Sequence, residues 1–284
     1  MRLNFGRKLL NFYLYSNLHI ALAATALTLF SYLGFQSRLD YNYLLFVFSS
    51  TLLLYAVHRA IGIRQTKEAR KNYRFEIIES YRHHIFLYAL IGLTGSVWSF
   101  FRFDRDIQLT LILPVILSGL YALPLIGNKR IRDFHYIKIF LVSIIWSWIS
   151  FAIPYLESDQ IDKEFALLFI DRTLFIFAIT IPFDIRDIKT DQFNKVKTLV
   201  HLIGVNGSKN LSLILLLIAS VILVSTIGLD RYSLSLIMTY IIAGLLIKNS
   251  AEDKNDIYFT GWIDGTMVIP LLIVGAMDLI KFAS

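Results

Sequence analysis

The chain has no cysteine among its 284 residues, and only 17% of its residues are charged. Without cysteine there can be no disulfide, no thiolate metal ligand and no cysteine nucleophile. Soluble domains carry about a quarter charged residues, so this composition excludes a soluble enzyme, a disordered chain and a fibrous repeat. The sequence also lacks a glycine-rich phosphate loop and, among its 6 histidines, an H-x-x-x-H pair, so it predicts neither a nucleotide loop nor a zinc site.

What remains is strongly apolar, with 56% hydrophobic residues and a mean hydropathy of +0.60. This composition is typical of a membrane protein that crosses the bilayer several times. Hydrocarbon cannot satisfy backbone polar groups, so each apolar run must be a helix. We predict one all-α domain over residues 1–284, with nine membrane helices near residues 17–35, 43–61, 84–101, 107–126, 137–155, 165–183, 211–228, 234–247 and 261–280.

The N-terminus allows two interpretations. A basic start followed by an apolar run and Ala21-Leu22-Ala23 resembles a cleaved signal peptide. Polar residues such as Asn11 and His19 interrupt that run, and the apolar residues continue beyond the cleavage position. We therefore expect a retained first helix.

The net charge of +7 is a topology signal, because the basic residues lie in the connections between apolar runs. One side of the predicted membrane carries 21 of the 28 lysines and arginines. Basic connections stay in the cytoplasm, so we expect a protein of the cytoplasmic (inner) membrane with its N-terminus inside and its C-terminus outside. No continuous basic stripe is present, so we expect no nucleic-acid partner.

Two cytoplasmic connections, residues 62–83 and 184–208, are too long to be simple turns. Functional residues often lie in such loops on a rigid scaffold. In the first loop, apolar residues including Phe75 and Tyr81 alternate with charged ones and predict a short amphipathic helix. We expect the two loops to form a cytoplasmic cap over the bundle.

The most specific local pattern in the sequence is a set of three regularly spaced aspartates. Asp184, Asp187 and Asp191 are spaced three and four residues apart, which places all three carboxylates on one helix face. A hard divalent cation such as Mg²⁺ relieves repulsion of this kind, using carboxylates and phosphate oxygens. The alternative is a solvated helix end at which basic neighbours neutralise the acids, namely Arg186, Lys189 and Lys195.

The acidic pattern is followed by Lys197-Thr198-Leu199 and then Gly204. Together these residues resemble the second aspartate-rich motif of the UbiA-type intramembrane prenyltransferases, a superfamily that includes the 4-hydroxybenzoate polyprenyltransferases. The expected layout of nine helices with cytoplasmic loops is also similar. The resemblance covers the whole chain in layout, but only residues 182–204 in motif.

The resemblance implies a function. In that superfamily two aspartate motifs hold Mg²⁺ on a prenyl diphosphate, the diphosphate leaves, and an acceptor captures the allylic cation. Carried over to this chain, it implies catalytic and metal-binding roles for Asp184, Asp187 and Asp191. Three lysines would assist at the diphosphate: Lys189, Lys195 and Lys197.

The first aspartate motif of the superfamily is missing. It belongs at the end of the second helix, residues 55–65 here, but no carboxylate occurs between Asp40 and Glu68. Half of the expected metal ligands are therefore absent. With one acidic motif, we expect at most one Mg²⁺.

Residues 55–65 contain basic side chains in place of the missing acids. His58, Arg59 and Arg64 could contact a diphosphate directly, because guanidinium groups match phosphate oxygens well. The alternative, which we favour on sequence alone, is that the arginines anchor the helix at the cytoplasmic surface and His58 caps it. A further alternative is that Glu76 and Glu79 replace the missing ligands.

Ionisable residues inside predicted spans are costly and often functional. Asp264 lies at the depth of the acidic motif and is expected either to line a polar cavity or to bond two helices. Asp171 and Arg172 lie nearer the other surface, where snorkelling or a local ion pair explains them as well as function does.

These observations leave three function classes open. The leading one is a UbiA-like protein that binds an isoprenoid diphosphate or a related membrane lipid, with catalysis of prenyl transfer undecided. The second is a family member without catalysis that serves as a lipid-binding or scaffolding subunit of a membrane protein complex. The third is a transporter whose pathway is marked by Asp171, Arg172 and Asp264, although no inverted repeat supports it.

Overall fold

The structure, a computed structural model, describes residues 5–65, 82–123, 131, 134–158, 164–193 and 196–283. The described residues are all-helical and contain no β-strand, as predicted. The predicted helix around Phe75, with Glu76 and Glu79, and the predicted phosphate ligand Lys195 lie outside these residues. In chain order the helices are α1 (Phe5–Tyr15), α2 (Leu18–Gly34), α3 (Tyr41–Gln65), α4 (Arg82–Phe100), α5 (Arg105–Ala122), α6 (Ile137–Ser147), α7 (Ile153–Leu156), α8 (Glu164–Arg186), α9 (Ile188–Phe193), α10 (Leu199–Ile227), α11 (Arg231–Lys248) and α12 (Ile269–Ala283).

The long helices alternate in direction, which brings the ends of α3, α8 and α11 to one end of the bundle. We call this the motif end, because it contains the acidic pattern that begins at Asp184. A hydrogen bond of 3.2 Å from the Tyr15 hydroxyl to Asp256 places α1 there as well. At the opposite end, Arg231 at the start of α11 pairs with Asp278 of α12 at 2.7 Å.

Six helical stretches are long and apolar enough to cross a membrane. They are Tyr41–Ile61, Arg105–Ala122, Ile137–Leu156, Glu164–Arg186, Leu199–Ile227 and Arg231–Lys248. A seventh is formed if Leu9–Tyr15 and Leu18–Gly34 count together, although these two helices are bent by 62° at the Ser16–Asn17 junction. The chain is therefore a multi-pass membrane protein, while the count of nine spans stays a prediction.

The predicted ninth span is interrupted rather than continuous. A π-helical segment (Tyr258–Ile263) is followed by a turn, and α12 begins at Ile269. Pro270 has no N–H and fits the first turn of a helix, so it favours a new start at this point. The interruption places Asp264 beside the motif end.

The predicted seventh span belongs to a longer helix, α10, which is broken once before residue 211. Gly204 has φ 72° and ψ 174°, whereas the residues before and after it are helical. Residues that have a Cβ atom rarely adopt this backbone conformation, so the position favours glycine. The break separates the first turn of α10, whose Val200 is buried against Ile181 and Ile185 of α8, from the rest of the helix.

Apolar side chains are buried inside the bundle and exposed on its outside, as a lipid environment allows. The core joins α2, α8, α10 and α11 through residues such as Leu27, Phe175, Leu223 and Leu236, each 0% exposed. On the outer helices large apolar side chains face outward, among them Phe86, Leu90, Leu113, Leu217 and Val221. These outward faces are the surface that lipid would cover.

The span made of α6 and α7 is bent by a π-helical turn (Trp148–Ala152) just before Pro154. Because proline has no N–H, the carbonyl of Ile149, five residues earlier, lacks its π-helical donor. The Tyr43 hydroxyl donates to that carbonyl at 2.7 Å. A side chain of α3 thus satisfies the backbone of a neighbouring span, as hydrocarbon cannot.

Asp171 and Arg172 are buried inside the bundle at 2% and 1% exposure, so the expectation of snorkelling was wrong. The Asp171 carboxylate accepts from the Tyr240 hydroxyl at 2.8 and 2.9 Å. Arg172 donates to the Tyr232 hydroxyl at 3.2 Å, with Phe30 on one side of its guanidinium. These contacts join α8 to α11, so Asp171 and Arg172 both help to hold the two helices together.

Helices α3 and α4 approach each other closely at Gly92, and this contact yields a stability prediction. A Cβ at Gly92 would lie 2.7 Å from the Ser49 carbonyl oxygen and 2.8 Å from the Leu53 nitrogen. Backbone atoms cannot move aside as a flexible side chain can, so Gly92→Ala should cost about 1–3 kcal/mol. Thermal denaturation in detergent measures the effect.

The control is Gly119→Ala in α5, where an added Cβ meets nothing within 4 Å. There alanine should stabilise the helix by up to about 1 kcal/mol. Equal behaviour of the two variants would contradict the close approach of α3 and α4.

Candidate functional site

The first acid of the motif is held in a buried ion pair. Lys138, in the first turn of α6, donates to the Asp184 carboxylate at 2.6 Å across 46 residues of sequence. The side chains are 12% and 3% exposed, respectively. The pair therefore fastens the start of α6 to the end of α8, and the ammonium group neutralises Asp184.

The second acid is bonded to the arginine before it in the sequence. The Arg186 Nε and Nη2 groups donate to the two Asp187 oxygens at 2.8 and 3.0 Å. The Nη1 group donates to Asp256 at 3.5 Å, from the segment between α11 and α12. Arg186 thus bridges two carboxylates that lie 69 positions apart in the chain.

Aromatic rings and a further acid complete the surroundings of Arg186. Its guanidinium lies 4.9 Å from the Phe183 ring centre and 5.5 Å from that of Phe259. Asp264 is near enough to interact with it electrostatically. The Arg186 side chain is 11% exposed, so the motif end is organised around a largely buried cation.

The end of α3, where the superfamily resemblance fails, turns toward this cluster. Arg59 donates to the Leu14 carbonyl at 3.4 Å, and its guanidinium lies 5.9 Å from the Tyr15 ring centre. The Tyr15 hydroxyl in turn donates to Asp256, the partner of Arg186. His58 is half-buried with its ring stacked on Tyr121. Arg59 therefore packs inward against α1.

Three other predicted residues follow Asp187 in the chain. Asp191, in α9, is half-buried one helical turn beyond Asp187, and its N–H donates to the Asp187 carbonyl at 2.8 Å. Lys189 is 83% exposed and pairs with Glu252 at 2.6 Å, a hydrogen bond that raises the pKa of the lysine. The Lys197 side chain is exposed.

The side chain of Arg64 lies outside the described residues, as does Lys195. The lysines predicted to surround a diphosphate are thus not brought together where the structure describes them. Sequence reasoning missed Lys138 and Asp256 as parts of the site. Lys138 was counted only as a topology signal, and nothing local to Asp256 points to a partner far away in the sequence.

The described carboxylates do not fit a metal ion in this arrangement. Asp184 and Asp187 each accept hydrogen bonds from a cationic side chain instead. Among the described residues, no group of three or more histidine, aspartate and glutamate side chains is close enough to hold a metal. The alternative of a helix end exposed to water does not describe the site either, because Asp184 and Arg186 are largely buried.

Comparisons with known proteins agree with this architecture. The sequence model that describes the UbiA prenyltransferase family matches residues 80–256 of this chain. No curated protein matches the chain by sequence.

Solved structures show the same fold at low sequence identity. A UbiA homolog from Archaeoglobus fulgidus bound to GPP and Mg²⁺ has a TM-score of 0.63 and 12% identity, covering 93% of this chain and 98% of the homolog. The apo UbiA homolog from Aeropyrum pernix K1 also scores 0.63, at 13% identity and the same two coverages. A digeranylgeranylglyceryl phosphate synthase scores 0.58 at 15% identity, covering 96% of this chain and 99% of the synthase.

The buried pair between Lys138 and Asp184 makes a testable claim about the motif. Lys138→Met keeps most of the side-chain volume but leaves the Asp184 carboxylate buried without its cation. Removing one partner of a buried pair typically costs about 3–5 kcal/mol, so the variant should unfold at a clearly lower temperature. Thermal denaturation in detergent measures this.

Two further variants separate the ion pair from general damage. Adding Asp184→Asn to Lys138→Met should recover much of the loss, because no buried charge remains. Lys189→Met removes an exposed pair that water screens, so its melting temperature should stay close to that of wild type. If Lys138→Met were as mild as Lys189→Met, the buried pair would carry little of the stability.

Proposed function

Since the chain belongs to the UbiA prenyltransferase family, we propose that it binds an isoprenoid diphosphate at the motif end of its helical bundle. The apolar interior of a membrane bundle suits a prenyl tail, and the cations of the motif end suit a diphosphate. The relative from Archaeoglobus fulgidus, bound to GPP and Mg²⁺, supports this ligand class.

One observation carries the proposal. The end of α3 has lost its acids, yet it joins the acidic motif of α8 through a continuous polar chain. The chain runs from Arg59 over the Tyr15 ring, through the Tyr15 hydroxyl to Asp256, and on to Arg186 and Asp187. The two helices that carry the family's motifs thus remain linked, with a guanidinium group on each.

The chemistry assigned to these residues is electrostatic. One guanidinium group can donate two parallel hydrogen bonds to phosphate oxygens, and it remains charged in any protein environment. We assign Arg59 and Arg186 to the diphosphate, with a supporting role for Lys138 of α6, which is paired with Asp184. Loss of a diphosphate from an allylic carbon needs its developing negative charge stabilised, and fixed cations supply that stabilisation.

Mg²⁺ is the family's usual partner for this step, as the magnesium in the relative indicates. In this chain Asp184, Asp187 and Asp191 are the residues that the resemblance assigns to the metal. Two of them, Asp184 and Asp187, are bonded to cations of the chain, so we assign the contacts with the diphosphate to the arginines.

Binding of geranyl diphosphate to purified protein tests the proposal. Arg59→Ala should weaken binding by about 10- to 100-fold, because a hydrogen bond to a charged group contributes about 1.5–3 kcal/mol. The matched control is Arg231→Ala, an exposed arginine at the opposite end paired with Asp278, and its affinity should equal that of wild type. An equal loss in both variants, or no binding by wild type, would contradict the assignment.

A second candidate function is a lipid-binding or scaffolding subunit without catalysis. Two observations favour it: α3 has no acids at its end, and Asp187 is already bonded to Arg186. Prenyl transfer by purified protein to any acceptor, abolished by Asp187→Ala and Arg59→Ala, would exclude it. Binding without turnover, together with stable co-purification of another membrane protein, would support it.

The proposed orientation is testable independently of the ligand. With 21 of 28 basic residues on one side, we propose that the motif end and the N-terminus face the cytoplasm and the C-terminus faces outward. A C-terminal reporter that is active only outside the cytoplasm should give signal, and the same reporter inserted in residues 62–83 should give none. The reverse pattern would move the motif end to the other side.

A further inference from the structure

We infer that the Arg186 guanidinium takes the place of a divalent cation at the motif end. It neutralises Asp187 and Asp256 from within the chain, so the site holds its acids together, and accepts its diphosphate, without a bound metal. The statement about the acids stands on the contacts of Arg186 alone. The statement about the diphosphate rests on the proposed function.

The contacts of Arg186 are those expected of a bridging cation. Its Nε and Nη2 groups hold both oxygens of Asp187 at 2.8 and 3.0 Å, and its Nη1 group reaches Asp256 at 3.5 Å. The two acids come from the end of α8 and from the segment after α11. One positive group therefore joins two segments of the fold through their carboxylates, which is what a structural metal ion does.

The surroundings favour a guanidinium over a metal at this position. The Phe183 and Phe259 rings lie 4.9 and 5.5 Å from the charge, and the side chain is 11% exposed. Guanidinium is weakly hydrated and stacks on aromatic rings, whereas Mg²⁺ usually retains several waters in an octahedral shell. A pocket walled by two rings suits the first ion and not the second.

The first acid of the motif, Asp184, is also neutralised by a cationic side chain of the protein. Asp184 is 3% exposed at its side chain and accepts from the Lys138 ammonium at 2.6 Å. Two of the three motif acids thus have a cation supplied by the chain itself. The missing acids of α3 agree with this, because a second carboxylate set would need positive charge that a metal no longer brings.

Mn²⁺ alone, added to purified protein without any prenyl ligand, tests the first statement. Wild type should show no Mn²⁺ binding by electron paramagnetic resonance and no change in melting temperature. Arg186→Met removes the cation that is bonded to both Asp187 and Asp256, next to Asp264. This variant should bind Mn²⁺ at least about tenfold more tightly than wild type, since ligand charge sets affinity at such sites.

Two further variants make the comparison specific. Arg186→Lys keeps the positive charge and should resemble wild type. Arg231→Met, which removes an exposed arginine paired with Asp278 at the opposite end of the bundle, should also bind no Mn²⁺. If Arg186→Met does not fold, Arg186→Gln provides the same uncharged comparison with hydrogen-bond donors retained. Mn²⁺ binding by wild type that Asp187→Asn abolishes would overturn the inference, as would a folded Arg186→Met or Arg186→Gln that binds no Mn²⁺.

The second statement is tested with labelled geranyl diphosphate in EDTA and in Mg²⁺. Wild type should bind it with the same affinity in both. Loss of binding in EDTA would overturn the metal-free statement. Absence of binding in both conditions would instead contradict the proposed function, and the Mn²⁺ comparison would still decide whether Arg186 replaces a metal.

Discussion

The motif end depends on one constraint, namely that a buried guanidinium must be surrounded by opposite charge. Arg186 is 11% exposed, and taking such a charge out of water costs several kcal/mol unless it is paired and hydrogen-bonded. Asp187 and Asp256 provide the pairing, and the Tyr15 hydroxyl orients Asp256. The end of α8, the segment after α11 and the end of α1 are therefore held in one place by one cation.

That constraint explains why the loss of acids from α3 is compatible with the fold. In the superfamily, carboxylates on α3 and α8 would repel each other without metal between them. Here α3 carries Arg59 near its end, and the guanidinium lies 5.9 Å from the centre of the Tyr15 ring, whose hydroxyl donates to Asp256. A positive side chain on α3 adds positive charge near the acids of the motif end, which is the electrostatic setting that the proposed metal-free site requires.

The helices and the acidic motif could be predicted from sequence, because apolar runs and carboxylate spacing are local signals. The partners of the motif could not, because they are distant in sequence: Lys138 lies 46 residues before Asp184, and Asp256 lies 69 after Asp187. The break before α12 follows from Pro270, a local signal that hydropathy alone overlooks. Which acids pair with which cations depends on helix packing, and a single sequence does not contain that information in readable form.

The other buried arginine shows why pairing, and not burial alone, distinguishes the candidate site. Arg172 is 1% exposed, donates to the Tyr232 hydroxyl and is flanked by Phe30, while Asp171 next to it accepts from Tyr240. Tyr232 and Tyr240 both belong to α11, so the hydrogen bonds of this cluster join two helices and do not join two carboxylates. At the motif end the same kind of guanidinium holds carboxylates from separate segments. A diphosphate could compete with those carboxylates for Arg186, and this exchangeable pairing is the physical basis of the proposal that an anionic ligand binds at the motif end.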